Sequence, residues 1–106
     1  MGVMVIAVFR PKPGKEADLM ACMRDHQPVL RDEGLVTDRP AYVMRTADGT
    51  LLEVFEWQSQ AAIDAAHASP RVQALWARYA ACCDCGTLAD LPEATTLFPG
   101  FVPLAV

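Results

Sequence analysis

The chain has 106 residues, 53% of them hydrophobic and 21% charged, with a formal net charge of -4 and a pI near 4.9. That length fits one domain, near the size at which a single core folds unaided, and an acidic chain whose nine Lys and Arg residues are scattered excludes a nucleic-acid surface. The longest apolar run, Val3 to Phe9, is closed by Arg10 and Pro11 and falls well short of the ~20 residues that a membrane span needs, which excludes a membrane partner.

Nothing basic precedes that run and no small-residue cleavage site follows it, so no secretory signal is expected and the protein is assigned to the cytoplasm. The hydrophobic share is above that of ordinary soluble domains, which predicts more than one buried surface. Val3 to Arg10, apolar at almost every position and rich in β-branched residues, predicts a strand buried on both faces. Pro11, Pro13 and Gly14 end it. From Lys15 the spacing of Leu19, Met23, His26 and Leu30 predicts a helix with all four on one stripe, and Gly34 is its C-terminal cap. Pro28 lacks an amide proton and clashes with the preceding turn, so a kink or break is expected near His26.

Leu35 to Pro40 reads as an irregular approach and Ala41 to Thr46 as a second strand. Asp48-Gly49 between apolar runs signals a hairpin, because both positions tolerate positive φ. The third strand, Leu51 to Trp57, places Leu51, Glu53, Phe55 and Trp57 on one face and Leu52, Val54 and Glu56 on the other. Carboxylates among apolar neighbours call for an edge position or a cation, and Arg10 and Arg45 are the expected partners.

Ser59 is an N-cap for a short helix from Gln60 to about Ala68, and Ser69-Pro70 starts a second helix with Ser at N-cap and Pro at N1. In the second, Val72, Leu75, Trp76 and Tyr79 form an amphipathic stripe that reads first as core. Cys82 to about Leu88 is assigned as a fourth strand. Pro92, Pro99 and Pro103 rule out a continuing helix, so residues 89–106 are expected to form an extended C-terminal arm. Its Leu97, Phe98, Phe101, Val102 and Leu104 are too apolar to leave in water, so the arm should dock. The four cysteines, Cys22, Cys82, Cys83 and Cys85, do not imply disulfides in a cytosolic chain. Cys-Cys-x-Cys is also a poor zinc spacing, since neighbours on a strand face opposite ways. They are read as small packing residues, and no metal is expected.

The βαββαβ order predicts an α+β, ferredoxin-like fold, a single domain over 1–106 with an antiparallel sheet under helices on one face. The first and third strands are apolar on both sides, so the second sheet face is expected to be buried against another copy in a two-fold homodimer.

Asp32-Glu33-Gly34, Glu53 to Trp57 running into Gln58-Ser59, Ala62-Ile63-Asp64-Ala65-Ala66-His67-Ala68-Ser69-Pro70 with Leu75 and Trp76, and Leu88 to Ala94 resemble the dimeric α+β barrel superfamily, and within it the antibiotic biosynthesis monooxygenase-like domains. The match covers most of the chain in short, degenerate words. The resemblance implies a homodimeric α+β barrel with a ligand cavity between sheet and helices and His67 directed into it. It also implies a cofactor-free, monooxygenase-like enzyme acting on a small aromatic or enolisable metabolite. A small-metabolite isomerase and a non-catalytic ligand-binding dimer are the alternatives.

Residue chemistry agrees in part. His67 lies four residues after Ile63, close to a helix end, and an imidazole titrating near neutrality serves as a general base toward a phenol or enol. Trp57, Trp76, Tyr79, Tyr42 and Phe55 are the expected aromatic walls, with His26 a second candidate contact. Glu53 and Glu56 read as ion-pair residues rather than acid/base groups. Haem-degrading members resemble a set with an asparagine on the first strand, a tryptophan on the helix after the third strand, and an iron-binding histidine on the helix that follows. Here no asparagine exists, Ala66 stands about where that tryptophan falls, and Trp76 about where that histidine falls. That departure argues against haem chemistry. Some phenol-oxidising members also use an asparagine, so its absence weakens the oxygenase reading as well.

Overall fold

The fold is described from a computed structural model, which covers residues 2–106. Strand β1 (Val3–Pro11) leads to helix α1 (Glu16–Asp32), then strands β2 (Tyr42–Arg45) and β3 (Leu51–Trp57), helices α2 (Gln60–Ala66) and α3 (Pro70–Cys82), strand β4 (Cys83–Gly86), two short 3-10 turns and strand β5 (Val102–Leu104). The sheet order is β4-β1-β3-β2-β5, antiparallel throughout. This is the expected ferredoxin-like α+β arrangement, with a fifth strand added at the β2 edge.

Strand register decides what each face does. Val5 pairs with Phe55, Ala7 with Glu53 and Phe9 with Leu51, so those side chains share the face under the helices. Met4, Ile6 and Val8 lie opposite Glu56, Val54 and Leu52 on the outer face. On α1 the stripe of Leu19, Met23, His26 and Leu30 is buried as its spacing predicts. Of the expected kink or break at Pro28, the break does not occur: α1 runs on to Asp32 with the proline inside it. The side chains buried on both sides of the proline, Met23 and Leu30, hold the helix to the sheet, and that packing outweighs one lost backbone bond. Gly34 at φ 71° ends it in a Schellman arrangement, its amide donating to Arg31 O and that of Leu35 to Leu30 O at 2.9 Å each. Leu30 and Leu35 then pack in one cluster with Phe55, Trp57 and Val72.

The hairpin is a three-residue loop in which only Gly49 takes positive φ. Asp48 contributes through its side chain instead, accepting from Thr46 Oγ1 and the Thr50 amide. Ser59 and Ser69 cap α2 and α3 as expected, each accepting from the amide three residues on. Cys82 closes α3 rather than opening β4, so the cysteine pattern straddles a helix end.

The arm from residue 89 is not simply extended. It makes 3-10 turns at Leu88–Asp90 and Pro92–Thr95, then pairs β5 with β2. Leu91 and Phe101 cover Val8, Leu52 and Met44, so the arm docks on half of the outer sheet face. Met4, Ile6 and Tyr42 on the same face remain exposed, as do Leu97 and Phe98 at the arm's bend.

Candidate functional site

A cavity of about 370 Å³ lies between the sheet and the helices. Its walls are Val5, Ala7 and Phe9 from β1, Phe55 and Trp57 from β3, His26 from α1, Trp76, Tyr79 and Ala80 from α3, and Cys85 from β4. Phe9, His26, Phe55, Trp57 and Tyr79 are buried, whereas Ala80 and Cys85 are exposed and mark the mouth. The β3 alternation sends Phe55 and Trp57 to the helix side, where β1 offers the smaller Val5 and Ala7 before Phe9 meets Tyr79 of α3, leaving room that aromatic side chains line without filling.

The polar centre is a buried pair. Glu53 is 0% exposed and His26 4%. His26 Nδ1 stands 2.9 Å from both Glu53 carboxylate oxygens, and Gln27 Nε2 donates to Oε2 at 2.9 Å. A carboxylate is taken out of water at large cost unless donors replace the lost hydration, and these two neighbours on α1 do so. With Nδ1 donating to the carboxylate, the neutral ring keeps its lone pair on Nε2, across the ring from Glu53. Among the described residues Nε2 has no protein partner, so it is the ring's free polar atom at the cavity wall. Phe55 and Tyr79 hold the ring edge-on, with centroids 5.4 and 5.3 Å away at 83° and 71°. Carboxylate, imidazole and cavity thus stand in a line suited to proton transfer. Glu53 also borders a second, more polar cavity of about 260 Å³ beside Arg24, Gln27 and Arg31.

Tyr79 is the other polar feature. Its hydroxyl is buried with no hydrogen-bond partner. Burial, reinforced by the nearby Glu53 charge, pushes its ionisation far above the usual tyrosine range, so it stays protonated.

Of the residues expected at the site, His26, Phe55, Trp57, Trp76 and Tyr79 come together around the cavity. Two do not. His67 is exposed, forms the C-cap of α2 and bonds through Nδ1 to Ile63 O at 2.9 Å. Helix α2 ends at Ala66, and His67 just beyond it stands against Trp76 with ring centroids 5.0 Å apart, outside the cavity lining. Tyr42 pairs with Val54 and therefore sits on the outer face, 62% exposed. Sequence reasoning missed Glu53. Its expected cations lie elsewhere: Arg10 is on the outer face opposite Asp84, and Arg45 reaches Glu16 at 4.0 Å. Glu56 is on the outer face too, accepting from Thr37 and Arg39, which hold its carboxyl below the usual range. The signal that points to Glu53 is its place in the β3 alternation: it shares a face with Phe55 and Trp57, beneath a helix whose buried stripe contains a histidine.

Three thiols, Cys22, Cys82 and Cys83, are buried around α1 and α3. Cys22 and Cys82 sulfurs are 3.9 Å apart, and Cys83 Sγ bonds Tyr79 O at 3.1 Å. Burial raises the ionisation of Cys22 and pushes that of Cys83 up to about 12.

Among known proteins, the family model described as antibiotic biosynthesis monooxygenase matches residues 2–78, which span β1 through most of α3 and include both His26 and Glu53. No curated protein and no solved structure matches the chain.

Proposed function

The chain belongs to the antibiotic biosynthesis monooxygenase family, and from that premise we propose that it is a cofactor-independent, monooxygenase-like enzyme acting on a small aromatic or enolisable metabolite, with His26 as general base. The observation that carries this reading is His26 in the wall of an otherwise apolar, aromatic cavity, backed at 2.9 Å by the buried Glu53 carboxylate. Glu53 fixes the ring and its tautomer, and Nε2 takes the proton of a phenol or enol. The apolar walls leave the resulting anion poorly solvated and electron-rich. Dioxygen adds at the activated carbon, and loss of water from the peroxide leaves a carbonyl. One oxygen atom stays in the product, the other departs as water, and the substrate supplies the electrons.

A second reading, an isomerase using His26 for proton transfer alone, is favoured by the absence of asparagine from the chain. The protein is further proposed to act as a homodimer that buries Met4, Ile6 and Tyr42, three large apolar side chains exposed on the outer sheet face.

Oxygen uptake with a panel of phenols and hydroquinones tests the main reading. His26→Ala should abolish uptake with the circular dichroism spectrum preserved, whereas His67→Ala should retain it. Equal loss in both variants, or full activity in His26→Ala, removes His26 as the base. Proton exchange into the substrate without oxygen uptake selects the isomerase, and saturable binding with neither selects a ligand-binding dimer.

A further inference from the structure

Two thiols from different helices meet outside the lining of the aromatic cavity. Cys22 on α1 and Cys82 at the end of α3 are 60 residues apart in sequence, yet their sulfurs stand 3.9 Å from each other. Both side chains are nearly buried, at 2% and 3% exposure. They are not sealed in, because both line a separate cavity of about 270 Å³ between the start of α1 and the end of α3. The rim of that cavity is exposed and charged, with Lys15 and Asp18 on one side and Arg78 on the other. A small polar molecule can thus reach the pair from solvent. A disulfide needs its sulfurs at about 2.05 Å, so the gap to close is about 1.8 Å, within reach of side-chain rotation and a small shift of the last turn of α3.

We propose that Cys22 and Cys82 are a redox modification site, forming a reversible disulfide when hydrogen peroxide enters through this second cavity. The thiolate of one cysteine attacks a peroxide oxygen, the O–O bond breaks, and the departing hydroxide takes up that thiol's proton as water. The second sulfur then attacks the resulting sulfenic acid. Its S–O bond breaks, and the hydroxyl leaves with the second thiol's proton as another water. The two cysteines lose two electrons in all and the peroxide gains them. Burial raises the ionisation of Cys22, so the bond calls for excess peroxide rather than a trace of oxidant. Once formed, it ties α1 to α3 within about one turn of His26 and Tyr79, and the spacing of two walls of the aromatic cavity becomes redox-dependent.

The inference assumes nothing about the reaction in that cavity, and its test needs no substrate. The reduced full chain is exposed to a hydrogen peroxide series, the remaining thiols are alkylated after an acid quench, and intact mass and peptide mapping follow. Two of the four thiols should escape alkylation with no oxygen added. The tryptic peptide of residues 16–24 should be joined to that of residues 79–106 through Cys22 and Cys82, and dithiothreitol should release it. Because the bond closes a long loop, the linked chain should unfold about 5–15 °C above the reduced one. Cys22→Ala should abolish the link and Cys85→Ser should keep it; where Cys22→Ala does not fold, mapping of the parent chain decides alone. A link through Cys83 or Cys85, oxygen addition without a link, or a linked chain that unfolds below the reduced one overturns the proposal and leaves Cys22 and Cys82 as packing residues.

Discussion

Removing the Glu53 carboxylate is the sharpest structural perturbation available. Glu53→Ala leaves His26 Nδ1–H and a Gln27 amide proton unpaired in a site where Glu53 is 0% and His26 4% exposed. Each orphaned donor costs about 1–3 kcal/mol, and breaking a buried pair by deleting one partner typically costs about 3–5 kcal/mol in all. A domain of this size has roughly 5–15 kcal/mol to lose. At a urea slope of about 1.2–1.5 kcal/mol/M the midpoint should fall by about 2–4 M. Trp57, 5.4 Å from Phe55, and Trp76 report unfolding by fluorescence, at fixed protein concentration so that any association does not shift the midpoint. The companion variant His26→Leu with Glu53→Met replaces the pair by apolar groups of similar volume, leaves only the Gln27 donor orphaned, and should lie about 1–3 kcal/mol below the parent. It should also lose turnover, which separates a pair kept for chemistry from one kept for stability. A Glu53→Ala cost below about 1 kcal/mol, or a double variant no more stable than Glu53→Ala, refutes the reasoning.

Three further outcomes are expected. Ser69→Ala, which deletes the cap accepting from the Val72 amide, should cost about 1 kcal/mol in thermal or urea unfolding while leaving the cavity spectrum of bound ligands unchanged. The Asp48 carboxyl is held below its ordinary range, first by the Thr46 hydroxyl and then by Thr50. A depressed folded-state value contributes stability that is present above the unfolded value and lost as pH falls through the folded one. The stability gap between the parent and Asp48→Asn should therefore be constant near neutrality and close below about pH 4. Ile6→Lys, which places a charge in the exposed outer patch, should convert a light-scattering mass of two chains into one near 11.5 kDa. A parent mass of 11.5 kDa at micromolar concentration refutes the dimer.

Local chemistry made much of the fold legible in the chain alone. Ser59, Ser69-Pro70 and Gly34 mark helix ends because capping is decided within a few residues, and the alternation of Leu51 to Trp57 sets one face of β3 against the other. Most of the cavity wall follows from those periodicities. Three features did not follow, each for a non-local reason. Pro28 reads as a breaker by propensity, and only the packing of Met23 and Leu30 on the sheet keeps α1 whole. His67 reads as the site histidine from its spacing to Ile63, but the end of α2 at Ala66 leaves it outside. The partner of Glu53 was decided by how α1 crosses the sheet, which sets His26 over β3 and carries the arginines elsewhere. Sequence periodicity says which residues share a face of one element; the contacts between elements depend on helix placement across the sheet, which only the folded chain determines. That is why the composition of the cavity was readable in advance and its acid–base pair was not.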